Sequence, residues 1–225
     1  MVLNTTLNAS AEKSKKQLVY EYLKNQIISN ELPPGTLLVE RQLCTMLDAS
    51  RTPIREAIQQ LVSENLVTSI PTKGCFVSEV RYEDIAQLYD VREYLEKLAG
   101  KLCSQNILPA QLQNLRELAT TMTQKLEEGD LDTFYETDTE FHLNLIRYSR
   151  NTFLIGSYES LYPQILRITY LIHSVPSGLS EADCYHLKIV DALENHDPQD
   201  AEYQIGEHIR ICKANYLKLF APNLY

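Results

Sequence analysis

The chain has 225 residues, a formal net charge of −9 and 44% hydrophobic residues, which suffices for two modest domains with buried cores. The polar residues 1–10 lack the apolar segment of a signal peptide, and no run approaches the roughly 18 apolar residues of a membrane-spanning helix. The five cysteines are scattered without a Cys-x-x-Cys pair, as expected of free thiols. The composition argues against a membrane protein or a disulfide-rich secreted protein and predicts a cytoplasmic location.

The negative charge is concentrated in one part of the chain. Residues 1–80 contain eight Lys or Arg and eight Asp or Glu, whereas residues 81–225 contain 13 and 22. Because DNA is bound largely through cations that contact phosphates, the acidic part is not expected to contact DNA. If the first part binds DNA, a few clustered arginines must make the contacts, since its overall charge is zero.

The first 80 residues contain the pattern of three helices followed by a β-hairpin. A flexible tail over residues 1–14 is expected before them, and Gly35 lies in a turn between the first two helices. Two short β-rich runs surround a turn that carries Lys73 at its tip. The predicted bounds are residues 19–28 and about 40–47 for the first two helices, a third helix after Ser50, and strands at 66–70 and 75–78. This order over residues 15–80 predicts a winged helix-turn-helix.

The third helix combines a polar, basic start with an apolar stripe. Ser50 is expected to cap the helix by accepting hydrogen bonds from its first amides. Arg51 and Arg55 lie four residues apart and project from one face near the helix start. The apolar stripe is formed by Ile54, Ala57, Ile58 and Leu61. Such a helix start can contact phosphates and guanine edges, although an ordinary surface helix with two arginines has the same local pattern.

From Tyr82 onward, apolar residues recur at helical spacing throughout. Asn151 or Thr152 is expected to cap the fourth helix of this part, and Pro198 to begin the sixth. The predicted helices span about 82–104, 109–129, 131–148, 152 to before Pro176, 180–195 and 198–220. Six helices with short connections predict a mainly α chain in which residues 81–221 form an antiparallel bundle.

Four polar residues of the predicted bundle have the composition of a metal site. Asp138 and His142 lie four residues apart on one helix and point to the same side, while His186 and His208 lie on the last two helices. If they converge, one carboxylate and three imidazoles suit zinc, nickel, manganese or iron. Two simpler interpretations stay open at this point: a surface pair of Asp138 and His142, and isolated histidines that only form hydrogen bonds.

Four motifs in the first 80 residues carry a resemblance to a known family. They are Leu32-Pro33-Pro34-Gly35, Glu40-Arg41-Gln42-Leu43, Ser50-Arg51-Thr52-Pro53-Ile54-Arg55-Glu56-Ala57 and Gly74-Cys75-Phe76-Val77. Together they resemble the DNA-binding domain of GntR-type bacterial transcription regulators. The resemblance implies DNA contacts by the second helix, the start of the third helix and the hairpin tip, through Arg41, Ser50, Arg51, Thr52, Arg55, Lys73 and Gly74. Asp48 and Asn65 depart from the family pattern, because each stands where glycine is usual.

Asp138-x-x-Phe141-His142, followed by His186 and His208, resembles the FCD effector domain of the FadR subfamily in its six-helix, VanR-like form. The resemblance implies that the Asp and the three His bind a divalent metal, with zinc as the first expectation. Open positions of the metal would take water or a carboxylate effector. The resemblance also implies that Arg92 faces the ligand cavity. The alternative for Arg92 is a helix-surface ion pair with Glu96, which lies four residues along.

Both resemblances predict a transcription regulator that is not an enzyme. A homodimer would read a palindromic operator in double-stranded DNA, and a small organic acid bound at the metal would relieve repression. Two alternatives stay open. In one, the metal itself is the signal and there is no organic ligand. In the other, the bundle is a metal-dependent hydrolase attached to a DNA-binding domain.

Overall fold

The computed structural model of the protein describes residues 14–172 and 179–220. Within these residues the chain forms two compact units, one covering 14–27 with 31–78 and the other covering 79–220 with 28–30. The predicted tail up to residue 13 and the predicted helix end near Pro176 lie outside the described residues. Among the described helices, none combines the length and the apolar character that crossing a membrane requires.

The first unit is a winged helix-turn-helix, as the order of predicted elements indicated. Its elements are α1 (Lys15–Ile28), α2 (Glu40–Met46), α3 (Arg51–Ser63), β1 (Val67–Ile70) and β2 (Gly74–Val77). The two strands are antiparallel, with Val67 opposite Val77. Helix α1 begins four residues before the predicted start, because its polar first turn shows no apolar periodicity. Leu23, Ile54, Leu61 and Leu66 are fully buried and form the centre of a small core.

The departures from glycine at two turns agree with the backbone of this unit. Asp48 and Asn65 adopt left-handed conformations, with φ of 45° and 58°. Asp and Asn tolerate this region better than other residues with a side chain, so both can replace glycine there. One expectation for α3 is wrong. Ser50 stands at the N-cap with an extended backbone, but its hydroxyl makes no capping hydrogen bond, since water can satisfy an exposed helix start.

The second unit is a helical bundle that contains six helices within the described residues. They are α4 (Tyr82–Asn106), α5 (Pro109–Glu128), α6 (Leu131–Tyr148), α7 (Thr152–Ile172), α8 (Leu179–Glu194) and α9 (Pro198–Phe220). Local capping explains why several bounds match the prediction. Asp130 accepts a hydrogen bond from the Thr133 amide at the start of α6, and Asn151 accepts bonds from the first amides of α7.

Close packing of α4 on α9 brings the two halves of the site together. A Cβ at Gly100 of α4 would overlap Cδ1 of Ile205 on α9, so the absence of a side chain permits the close approach. Helix α8 packs on both α4 and α9, and α6 packs on α4. The inward faces of α4, α6, α8 and α9 therefore share one buried space.

Candidate metal centre and DNA-reading surface

The four predicted ligands converge in the interior of the bundle. Asp138 and His142 come from α6, His186 from α8 and His208 from α9, and one donor atom of each lies within 4.8 Å of the others. All three imidazoles are buried. This placement rules out the interpretation of Asp138 and His142 as a surface pair. It also rules out three isolated histidines.

Each imidazole presents its Nε2 atom to the centre of the cluster. His186 Nε2 lies 3.2 Å from Asp138 Oδ1, and His142 Nε2 lies 3.1 Å from His208 Nε2. The Nδ1 atoms face outward to acceptors. His142 Nδ1 lies 2.6 Å from a carboxylate oxygen of Glu96, and the other two Nδ1 atoms lie 3.2 and 3.1 Å from the carbonyls of Asp183 and Ala182. In a neutral imidazole these acceptors require the proton on Nδ1, which leaves the Nε2 lone pair pointing into the cluster.

The electrostatic environment stabilises positive charge at this centre. Burial alone would lower the pKa of His142, but the charges of Glu96 and Asp138 and a hydrogen bond to Asp138 together raise that pKa. Burial also opposes protonation of His186, yet hydrogen bonds to Asp138 and Asp183 raise its pKa to about 9. The pKa of His208 is lowered by burial and by repulsion from the other two imidazoles. Anionic groups that favour protons here would favour a bound cation in the same way.

The residues present fit a divalent metal ion. When the three imidazoles are neutral, as binding an ion requires, the carboxylates of Glu96, Asp138 and Asp183 and the cation of Arg92 leave two negative charges in this largely buried cluster. One divalent ion would balance them. Donor separations of 3.1 and 3.2 Å are those expected when each donor lies about 2 Å from a common ion. Two Nε2 lone pairs that face each other also require a shared proton or a cation between them.

Arg92 combines both roles that the sequence left open. It forms an ion pair with Glu96 at 2.6 Å, but the pair is buried, with Arg92 only 4% exposed and Glu96 fully buried. The guanidinium also lines a small chamber beside Asp138, His142 and Tyr158. The pair predicted by the alternative exists, but it is not on the helix surface, because this face of α4 is buried in the bundle.

Sequence reasoning missed the residues that hold the ligands in place. Tyr158 donates to Glu96 Oε1 at 2.9 Å, so Glu96 binds partners from α6 and α7 as well as Arg92 of its own helix. Asp183 accepts from Thr123 at 2.9 Å and lies beside His186. A carboxylate four residues after Arg92 was visible in the sequence, but its burial against His142 was not.

Two neighbouring cavities lie beside this centre. The inner chamber, next to Arg92, Asp138 and His142, has a volume of about 10 Å³. The outer cavity has a volume of about 450 Å³ and lies between α6 and α7. The two share the lining residues Thr139, Tyr162, Leu166 and Thr169. The outer cavity therefore lies next to a chamber that Asp138 and His142 line.

The seven predicted DNA-contacting residues all lie on the surface of the first unit. Arg41 is on α2, Ser50 precedes α3, and Arg51, Thr52 and Arg55 are on α3, while Lys73 and Gly74 form the hairpin tip. Sequence reasoning missed one contact at this surface. Arg55 Nε lies 2.9 Å from both carboxylate oxygens of Glu40, the first residue of α2. Glu40 therefore holds one edge of the Arg55 guanidinium.

A winged helix-turn-helix joined to a helical bundle is the architecture of a class of DNA-binding regulators. Comparison with known families agrees with this class. Residues 15–77 match the family "Bacterial regulatory proteins, gntR family", and residues 87–211 match the "FCD domain" family. The chain therefore belongs to the GntR family of transcriptional regulators with an FCD domain. It is a DNA-binding transcriptional regulator.

Individual relatives cover most of the chain. The "HTH-type transcriptional regulator McbR" of Escherichia coli is 30% identical over 82% of this chain and 85% of its own. The "Probable D-xylose utilization operon transcriptional repressor" of Paenarthrobacter nicotinovorans is 29% identical over 85% of this chain and 84% of its own. The solved structure titled "E. coli McbR/YncC" has a TM-score of 0.77 and 26% identity, and the match covers 93% of this chain and all of that one.

Replacing Glu96 by Ala is expected to lower the free energy of unfolding of the bundle by about 3 kcal/mol or more, because the buried Arg92 loses its counter-charge. Urea denaturation followed by circular dichroism measures the change. Glu140→Ala, at an exposed glutamate of α6, serves as the control and is expected to change stability by about 0.5 kcal/mol or less. Equal small losses in both variants would contradict the role given to Glu96.

Proposed function

We propose that the protein is a homodimeric regulator whose operator affinity changes when a small organic acid binds at a metal held by Asp138, His142, His186 and His208. The observation that carries the proposal is the inward orientation of three Nε2 atoms beside one carboxylate, with every Nδ1 bound to an outer acceptor. Such outer acceptors are a regular feature of histidines that bind metals. Zinc suits this donor set best, and nickel, manganese and iron are also compatible.

Arg92 is the proposed partner of the acid. The bound ion would supply a Lewis-acidic contact for one ligand oxygen. Arg92 lines the same chamber and is held by Glu96 Oε1 and by the Tyr89 hydroxyl, which lies 3.1 Å from its NH1 atom. Its guanidinium has further N–H groups that can donate to the acid. The chain thus offers a fixed cation next to the proposed metal position.

Two reader units are needed for a palindromic operator, and this supports a dimer. A second copy of the chain is the proposed partner of the exposed apolar face of α4. Val91, Tyr94 and Leu98 follow one another at helical spacing and are 48%, 75% and 40% exposed. Large apolar side chains in a row on one helix face are typical of surfaces that a partner covers.

The sign of regulation proposed here is repression, relieved by the acid. Relatives whose names call them repressors support this sign. The two units are joined through residues 79–81. Burial lowers the pKa of Arg167 on α7 to about 10, and the charge of Glu79 opposes this effect. We propose that this charge interaction helps to carry the effect of the acid from α7 to residues 79–81.

Native mass spectrometry with elemental analysis tests the metal and the dimer together. We expect a dimeric mass and one ion per chain, and at least about ten-fold less metal in His186→Ala, because one of four ligands is lost. His196→Ala is the matched control, since His196 binds the Ser104 carbonyl and lies outside the cluster. A monomer, or wild-type protein that takes up none of zinc, nickel, manganese or iron, would contradict the proposal. Metal-loaded protein whose melting and operator affinity respond to no acid would favour the metal as the signal.

Replacing Arg51 or Arg55 by Ala is expected to weaken binding to the operator by about ten-fold or more, because each side chain would lose contacts to a base or a phosphate. The operator is first obtained by selecting random-sequence DNA with the wild-type protein, and affinity is then measured by fluorescence anisotropy. Arg147→Ala, at an exposed arginine of the bundle, is the control and should leave affinity unchanged. Wild-type affinity in both reader variants would rule out this surface.

Glu40→Gln is expected to reduce the ratio of operator to random-DNA affinity by about five-fold, because Arg55 is no longer held in one orientation. Binding to random DNA should not weaken, since a negative charge has been removed. Glu56→Gln is the matched control, because it removes the same charge from an exposed position next to Arg55. Equal effects of the two substitutions would show that only net charge matters at this surface.

A further inference from the structure

The tip of the β-hairpin contains a backbone conformation that is unusual for its residue. Thr72 adopts the left-handed region, with φ of 64°. A β-branched side chain is rare in this region, because its two heavy atoms on Cβ crowd the backbone. The Lys73 amide donates to the Ile70 carbonyl at 3.1 Å, so Pro71 and Thr72 are the central residues of a β-turn. Glycine or asparagine is usual at the second central position of a turn with positive φ there.

The neighbours of Thr72 keep it in this conformation. Pro71 has its own φ fixed near about −65° by its ring, which suits the first central position of the turn. On the other side, Gly74 has φ of 114°, and a Cβ there would lie 3.1 Å from Cδ1 of Leu37. Ile70 pairs with Gly74 in the sheet, which closes the loop between them. Thr72 therefore supplies the left-handed residue of a turn whose two ends are held.

The fold of the first unit makes little use of the Thr72 side chain. Thr72 is exposed, and its hydroxyl donates to the carbonyl of Pro71 at 2.6 Å. Among the described residues, this hydroxyl binds nothing outside its own turn. Glycine would adopt the same φ without strain. Stability alone therefore does not favour threonine at this position, and strained residues of this kind concentrate at functional sites.

The surroundings of Thr72 suit a phosphate group. Residues 66–78 contain no Asp or Glu, and their one basic residue is Lys73, directly after Thr72. A hydroxyl can donate to a phosphate oxygen, and such a charge-assisted bond is stronger than a bond to a neutral carbonyl. The carbonyl of Pro71, which would lose the hydroxyl, is at an exposed residue and can bind water instead.

We propose that Thr72 Oγ1 donates a hydrogen bond to a phosphate of the bound DNA, next to the contact of Lys73. This inference rests on the proposed DNA-reading surface, because it requires the hairpin tip to face DNA. It does not depend on the metal or on the acid. Phosphate contacts set the position of a protein on DNA and carry no direct information on the base sequence. Thr72 would therefore position the reader unit without selecting a base.

Thr72→Val tests the hydroxyl directly, because it replaces the hydroxyl by a methyl group and keeps the β-branched shape. We expect binding of the full-length protein to weaken by about five-fold or more, and equally for operator and random DNA. The slope of log affinity against log salt concentration should not change, because threonine carries no charge. Fluorescence anisotropy at several salt concentrations, with an operator selected from random-sequence DNA, measures both quantities.

Two further variants serve as controls. Thr72→Ser keeps the hydroxyl and should retain wild-type affinity. Thr120→Val is the matched substitution in the bundle, since Thr120 is also exposed and its hydroxyl also donates to a backbone carbonyl, that of Arg116 at 2.8 Å. It should leave the affinity unchanged. Equal losses in Thr72→Val and Thr72→Ser, or in Thr72→Val and Thr120→Val, would contradict a contact by the Thr72 hydroxyl.

The other outcomes separate this inference from the proposed reading surface. Wild-type affinity in Thr72→Val would overturn the inference, and a loss confined to the operator would do so too, because it would indicate a contact to a base. Lys73→Ala should weaken binding and reduce the salt slope by about one. If it does so while Thr72→Val binds normally, only this inference fails. If Lys73→Ala changes neither affinity nor slope, the hairpin tip does not face DNA, and this part of the proposed surface fails as well.

Discussion

The interaction on which the helical unit depends is the set of hydrogen bonds made by the buried carboxylate of Glu96. Its two oxygens accept from Arg92 Nε at 2.6 Å, from the Tyr158 hydroxyl at 2.9 Å and from His142 Nδ1 at 2.6 Å. A carboxylate without solvent is very costly unless charges and hydrogen bonds compensate it. Burial alone would raise the pKa of Glu96, but Arg92 and His142 lower it below its usual range. One charge thus connects α4, α6 and α7 and orients a candidate metal ligand.

The same charges explain why the candidate centre suits both a cation and an acid. Burial would raise the pKa of Asp138, yet the neighbouring imidazoles lower it well below its usual range, so this residue stays a carboxylate. The anionic residues favour a bound cation at the point where the Nε2 atoms meet. Arg92 lines the same chamber as Asp138 and His142. The basic group and the anionic groups of the cluster therefore lie together in one small space.

The DNA-reading unit follows a different principle, because it has no excess positive charge. Residues 1–80 contain equal numbers of basic and acidic side chains, so nonspecific attraction to DNA is weak. The positions of the basic side chains then matter more for DNA binding than their number. Arg51 lies at the start of α3, and Arg55 is held by Glu40 from the start of α2. The acidic bundle adds no attraction for DNA, which agrees with a division of labour between reading and sensing.

Much of the secondary structure could be predicted because its causes are local. The bounds of α6 and α9 match the prediction, since Asp130 caps the first and Pro198 begins the second. The glycine-like turns at Asp48 and Asn65 follow from the tolerance of these residues for positive φ. The first turn of α1 was missed, because a polar turn carries no apolar period. The missing capping hydrogen bond of Ser50 could not be predicted either, since an exposed hydroxyl can form its hydrogen bonds with water instead.

The sequence by itself determined the order of elements and the reader motif, because these depend on local spacing along the chain, and its resemblance to the FCD domain pointed to the four candidate ligands. Only the tertiary structure decided that Arg92 and Glu96 are buried and that Glu96 binds His142, which lies 46 residues away in the chain. The tertiary structure also decided that Glu40 pairs with Arg55 and that Asp132 and Glu136 line a cavity between α6 and α7. These facts depend on which helix faces meet. Packing of distant segments decides that, and no local pattern reports it.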